Sequence, residues 1–147
     1  MTEHASGEIT IAKPISSVLE ILLELDEYPR WIGEITSVEV HSRDERGRAI
    51  KATLNSNAMG KTITHTYEYF YDKYPNEIRW TFVEGNMVHS LEGKYKLDEV
   101  DSETKVEYDL EIELSSPLPG FIKKKAAQKI VDTALGDLKK FAEINEG

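Results

Sequence analysis

The chain has 147 residues, 39% hydrophobic and 31% charged, a size and balance that suit one folded domain and exclude a disordered polymer. Eighteen Lys and Arg against 27 Asp and Glu leave a net charge of −9, which repels phosphate backbones and argues against a nucleic-acid partner. There is no cysteine, so disulfides, thiolate metal sites and cysteine nucleophiles are ruled out, and no apolar run reaches the roughly 20 residues of a membrane span.

Residues 1–7 carry neither a basic n-region nor an apolar h-region, so a cytoplasmic protein without stable membrane insertion is expected. Residues 8–12 alternate and predict a short strand. Ile15, Val18, Leu19, Leu22 and Leu25 then recur at spacings of three and four, which places one apolar stripe on a helix, with Pro14 suited to its first turn. Pro29 stops that helix from running on, and Asp26 to Trp31 reads as a break with a second helical turn. From about residue 34 to 114 the period becomes two. Turn signals at 44–47, 57–60, 72–76, 84–86 and 99–103 divide this stretch into six strands of an antiparallel meander. After Pro117 and Pro119 a 3.6-residue period returns. Ile122, Ala126, Ile130, Ala134, Leu138 and Phe141 form one stripe, with Ala127, Val131, Leu135 and Ala142 beside it, on a helix of about 25 residues and roughly 37 Å.

No repeat, low-complexity tract or linker interrupts this order, so residues 1–147 are expected to form a single domain. The expected fold class is α+β, in the order β-α-α-β6-α: a seven-stranded antiparallel sheet, twisted around the one long amphipathic helix able to cover it.

Strand parity names the side chains that would face the helix. In the fourth strand these are Ile63, His65, Tyr67, Tyr69 and Tyr71; in the fifth, Ile78, Trp80 and Phe82. In the sixth they are His89, Leu91, Gly93, Tyr95 and Leu97; in the seventh, Val106, Tyr108, Leu110, Ile112 and Leu114. A bulge in any strand would turn its assignment over. This face is rich in rings that carry a polar tip, where a dry core would use Leu, Ile and Val. Set against the alanines of the last helix, it predicts either a normally packed interior or a pocket with an apolar body and a few hydrogen-bonding points, and the balance favours the pocket. The candidate cavity residues are Trp31, His65, Tyr67, Tyr69, Trp80, Phe82, His89, Leu91, Tyr95, Tyr108 and Leu110, with Ile130 and Ala134 from the helix. Trp31 either lines the entrance or anchors the helices.

Ile11 to Val18, followed by Leu25-Asp-Glu-Tyr-Pro-Arg-Trp31, resembles the opening of the START-like (SRPBCC) superfamily, in particular its polyketide cyclase/dehydrase and lipid-transport branch. Trp80 to Gly85, Gly93-Lys-Tyr95 and Pro117 to Ala126 extend the resemblance over nearly the whole chain. It implies a helix-grip (START/Bet v 1-like) fold, with a curved sheet gripping the C-terminal helix around a tunnel that takes lipids, sterols or polyketide-like molecules. A small hydrophobic molecule is therefore the expected partner, with no cofactor.

Two functional classes follow. One is a binding or transport protein for such a ligand. The other is a cyclase/aromatase-type enzyme in which His65 exchanges a proton and Tyr67 hydrogen-bonds a carbonyl. The resemblance to cyclases implies an arginine or a charged pair inside; here Arg79 falls on the wet parity, and Arg43, Arg46 and Arg48 surround a turn, which favours binding over catalysis. A third, peptide-binding use of the cleft stays open. His4, His41, His65 and His89 lack ligand spacing, so no metal site is expected. Glu107, Asp109, Glu111 and Glu113 read as the wet face of a strand, and Lys123 to Lys125 as a solvated helix end in preference to a basic patch at the tunnel mouth.

Overall fold

The period-two stretch becomes six antiparallel strands, and an N-terminal seventh strand joins their far edge. A computed structural model describes residues 2–58, 60–115 and 117–144, and the predicted turn at 57–60 lies partly outside them. In chain order the elements are β1 (Glu3–Ile11), α1 (Ile15–Leu23), a 3-10 turn (Leu25–Glu27), α2 (Tyr28–Trp31), β2 (Ile35–Arg43), β3 (Ala49–Ala58), β4 (Lys61–Phe70), β5 (Glu77–Gly85), β6 (Val88–Val100), β7 (Glu103–Leu114) and α3 (Gly120–Ile144). The sheet order is β1-β7-β6-β5-β4-β3-β2, antiparallel at every pairing, which is the β-α-α-β6-α helix-grip arrangement.

β1 starts five residues before its predicted beginning. His4, Ala5, Ser6 and Gly7 have little strand preference of their own, but each pairs with β7, opposite Glu111, Leu110, Asp109 and Tyr108. Pairing overrides local propensity here. As an edge strand, β1 would present open carbonyls to solvent. Side chains of α3 cover them: Gln128 Nε2 donates to the Ser6 carbonyl at 3.0 Å and Lys139 Nζ to the Thr10 carbonyl at 2.6 Å. Glu143 accepts from the Ala12 amide at 2.9 Å and from Lys139.

The helix lies differently from its predicted face. The buried stripe is Ala127, Val131, Leu135, Leu138 and Ala142, so the core face of α3 centres on the neighbouring row. Gly7 of β1 explains the choice. A Cβ there would stand 3.1 Å from Val131 Cγ1 and 3.2 Å from Leu135 Cδ1, so the bare backbone lets this row settle against the strand. Ile130 sits about 100° around the helix from Val131, on the flank that carries Ala134 and Phe141, and stays 38% exposed.

α3 packs closely on β1 and β7 and has no comparable approach to β2–β6. α1 packs on β6, β7 and α3, while α2 and the 3-10 turn reach the β2 edge, so these short helices run from β6–β7 to β2. The Ile15 amide donates to the Glu99 carboxylate at 2.6 Å, and Thr104 Oγ1 to the Lys13 carbonyl at 2.7 Å, fixing α1 against the β6–β7 turn. Val106, Leu110 and Ile112 of β7 are fully or almost fully buried beneath these helices, each contributing about 1.5–3 kcal/mol of apolar burial.

Candidate functional site

The sheet face toward α3 is built in rows set by the register. One row runs Ala5, Leu110, Gly93, Trp80, Tyr69; the next runs Gly7, Tyr108, Tyr95, Ile78. A third joins Ala52, Tyr67 and Phe82, and Leu54 faces His65. The predicted inward parity of β4, β5 and β7 is therefore the observed one. Rings from adjacent rows meet: Tyr95–Tyr108 at 4.9 Å, Trp80–Tyr95 at 5.3 Å, Trp80–Tyr108 at 5.6 Å and Tyr69–Trp80 at 6.2 Å between centroids.

Two glycines make room for this wall. Trp80 lies flat over Gly93, where a Cβ would fall 2.5 Å from the indole carbons. Gly85 has φ +149° and carries the ring of His65, whose Cδ2 would lie 2.7 Å from a Cβ. Strand patterning does not assign either glycine, or Asn86 beside Gly85, to the site. The available signal was a glycine interrupting each strand, which marks close approach of something large.

His89 is a correction. The pairing jumps from Val88–Leu114 to Ser90–Glu113, so a bulge at His89 turns Val88 inward and leaves the histidine exposed. Leu91, beyond the bulge, faces inward and is half-buried. Trp31 is buried between Tyr28, at 5.1 Å edge-on, and Phe141 of α3, stacked at 6.2 Å. It anchors α2 to α3, and its Nε1 is sealed without a hydrogen-bond partner. Ala134 is partly buried against the core, whereas Ile130 is outside it.

The polar tips divide into two groups. Tyr28 donates to the Leu22 carbonyl at 2.6 Å and Tyr71 to the Ala49 carbonyl at 2.6 Å. His65 Nε2 lies 2.7 Å from the Asn86 carbonyl, which only accepts, so Nε2 carries the proton. Nδ1 of the neutral ring is then the acceptor, and the Tyr67 hydroxyl donates to it at 2.7 Å. The hydroxyls of Tyr69, Tyr95 and Tyr108 form the second group. Among the described residues they make no hydrogen bond, although each residue is only 5–7% exposed.

Burial pushes the phenols of Tyr67, Tyr69, Tyr95 and Tyr108 well up from their ordinary value, and mutual repulsion of the ionised forms adds to it at Tyr67, Tyr69 and Tyr95. Tyr71, nearer the rim, is pushed up to about 12, chiefly by burial. All are neutral donors over any working pH.

A family model described as polyketide cyclase/dehydrase and lipid transport matches residues 2–143. The chain belongs to this family. Among curated relatives of the family, a putative polyketide cyclase of Streptomyces cyaneus is 24% identical over 119 residues, covering 81% of this chain and 78% of that protein. A START superfamily protein from Mycobacterium smegmatis superposes with a TM-score of 0.90 at 21% identity, covering 96% of this chain and 97% of that one. The Zhui aromatase/cyclase from Streptomyces sp. R1128 gives 0.78 at 16% identity, with 99% and 98% covered. These likenesses establish the START/Bet v 1-like fold.

Several of the remaining charged features have structural partners. On the outer face Lys96 lies 3.7 Å from Asp109 and His4 3.2 Å from Glu111 of the acidic ladder of β7, while Lys105 lies 3.5 Å from Glu8 and Arg79 3.7 Å from Glu92. Two concavities open there: one around Arg79, Lys94 and Asp109, and one around Thr64, Thr66, Glu84, Gly85 and Asn86, which adjoins the backbone that holds His65. Arg48 pairs with Asp44 at 2.8 Å and stacks over Tyr71 and Tyr74 at 4.4 and 4.9 Å, so it holds the β2–β3 turn against the sheet.

His65 yields a pH prediction. Burial lowers its pKa below 6.5, with the hydrogen bond to Asn86 opposing in part. The folded state binds this proton less readily than the unfolded chain, so stability is full above pH ~6.5 and falls as the pH drops through and below that value. The imidazole resonances in an NMR titration are expected to move only below the ordinary histidine range, and titration at or above 6.5 would refute the assignment.

Proposed function

We propose that the protein binds a small, largely apolar molecule between the ring-bearing face of β4–β7 and α3. The observation that carries this is incomplete coverage. Tyr67, Phe82, Leu91 and Leu54 point toward the helix side, yet stay only half-buried because α3 settles on β1 and β7 instead of across the sheet. In a filled core such side chains would be closed off. Membership of a family whose description includes lipid transport supports the same reading. Aromatic area supplies affinity there without demanding chemistry.

A neutral, polarity-sensitive dye such as Nile red is expected to bind with a blue-shifted emission at one equivalent. Amide shifts should then concentrate in β4–β7 and α3. Perturbation confined to the outer face, or none at all, would remove the proposal.

The His65–Tyr67 hydrogen bond favours cyclase/aromatase-type catalysis as a second reading. It would hold the Tyr67 hydroxyl against a base, in a family whose description includes polyketide cyclases. Under this reading Tyr67→Phe abolishes turnover of a poly-β-keto substrate while Nile red still binds. Pure binding predicts no turnover by either protein.

A further inference from the structure

We propose that the ligand is electrically neutral and carries acceptor oxygens, as a ketone, ester or alcohol does, and that Tyr69, Tyr95, Tyr108 and Trp80 hold those oxygens while rejecting carboxylates. This rests on the binding reading above and specifies its chemistry.

Four donors belong to this one wall of adjoining rings. The three phenol hydroxyls make no hydrogen bond among the described residues, and neither does Trp80 Nε1, although all four residues are 5–9% exposed. Among the described residues only Trp31 Nε1 is both unpartnered and sealed, so the other four atoms open onto space that a water molecule can touch. Their rings adjoin, with Trp80 central to Tyr69, Tyr95 and Tyr108. Indole N–H can only donate, and a phenol donates readily, so the natural complement is an acceptor.

Charge decides between acceptors. The register sends Arg79, Lys94 and Lys96 to the outer face, and Arg48 is committed to Asp44. Among the described residues no cation stands among these rings to balance an anion, and a carboxylate brought into such a place loses its hydration without compensation. The phenols report the same property, since burial opposes their own ionisation. A neutral carbonyl or hydroxyl escapes that cost and accepts the same hydrogen bonds.

The test displaces Nile red with three probes on one skeleton: 2-acetylnaphthalene, 2-ethylnaphthalene and 2-naphthoate, at pH 8. The ketone is expected to bind at least tenfold more tightly than the carboxylate. Tyr95→Phe and Tyr108→Phe should each weaken the ketone about two- to tenfold, as loss of one neutral hydrogen bond does. They should leave 2-ethylnaphthalene unchanged. Because these hydroxyls have no partner among the described residues, both variants should also keep or raise the melting temperature, which separates a ligand role from a structural one. Equal displacement by carboxylate and ketone, or unchanged ketone binding in the variants, overturns this inference while leaving the binding reading intact. Failure of Nile red itself to bind overturns both.

Discussion

Gly93→Ala is expected to destabilise the protein by about 1–3 kcal/mol, the usual cost of forcing extra volume into a packed interior. In the row Leu110–Gly93–Trp80–Tyr69, Gly93 is the only position without a side chain. Trp80 uses that vacancy by lying across the backbone, and the added methyl would fall 2.5 Å from its Cε2 and Cζ2 and 2.8 Å from Nε1. The indole has little room to yield, since Tyr69, Tyr95 and Tyr108 surround it. It must leave the sheet surface and rise into the space proposed for the ligand. Urea unfolding should therefore show a lower midpoint, near-UV circular dichroism should show a changed tryptophan signal, and Nile red affinity should fall with them. A variant that loses stability but binds the dye as before would mean that the ligand does not lie over Trp80.

The same row shows how far the sequence carries. Lys105 to Leu114, Ile63 to Tyr69 and Ile78 to Phe82 each alternate, and one face of a strand is all that alternation encodes, so the ring-bearing side of β4, β5 and β7 follows directly. His89 shows the limit. One extra residue in β6 leaves no trace in composition, yet it exchanges His89 for Val88 on the inner side. The face of α3 was hidden for another reason. Its two adjacent rows are both apolar, and the choice between them falls to Gly7, more than a hundred residues earlier. Edge-strand capping by Gln128 and Lys139 belongs to the same class of information, because polar side chains on a helix flank are legible as exposed but not as partnered. The pairing of His65 with the Asn86 carbonyl likewise depends on a turn twenty-one residues away, which no spacing rule anticipates.

Gly85→Ala is expected to be at least as damaging, because here the obstacle is backbone. The new Cβ would stand 2.2 Å from the Thr64 carbonyl oxygen, and φ of +149° is a conformation that side-chain-bearing residues adopt only with strain, about 1–3 kcal/mol for the backbone alone. The reason for such a residue lies in the β4–β5 register. Tyr67 pairs with Phe82 and Thr66 with Glu84, so Val83 is the extra residue of a bulge and is left 40% exposed. With simple alternation after Phe82, Glu84 would point to the helix side. The bulge sends it outward with Thr66 and brings Gly85 opposite His65 instead. An acid is thereby kept away from the rings, and the imidazole gains a flat floor from which Nε2 reaches the Asn86 carbonyl. Gly85→Ala should lower the melting temperature. It should also release His65 from Asn86 and from burial, moving its NMR titration upward toward 6.5, because relief of desolvation outweighs loss of the one bond that favours the proton. Val83→Ala, at the exposed bulge position, should change stability by no more than about 0.5 kcal/mol and leave the titration in place. If both substitutions behaved alike, the bulge would have no role in setting the state of His65, and the neutral, Tyr67-accepting imidazole would need another cause.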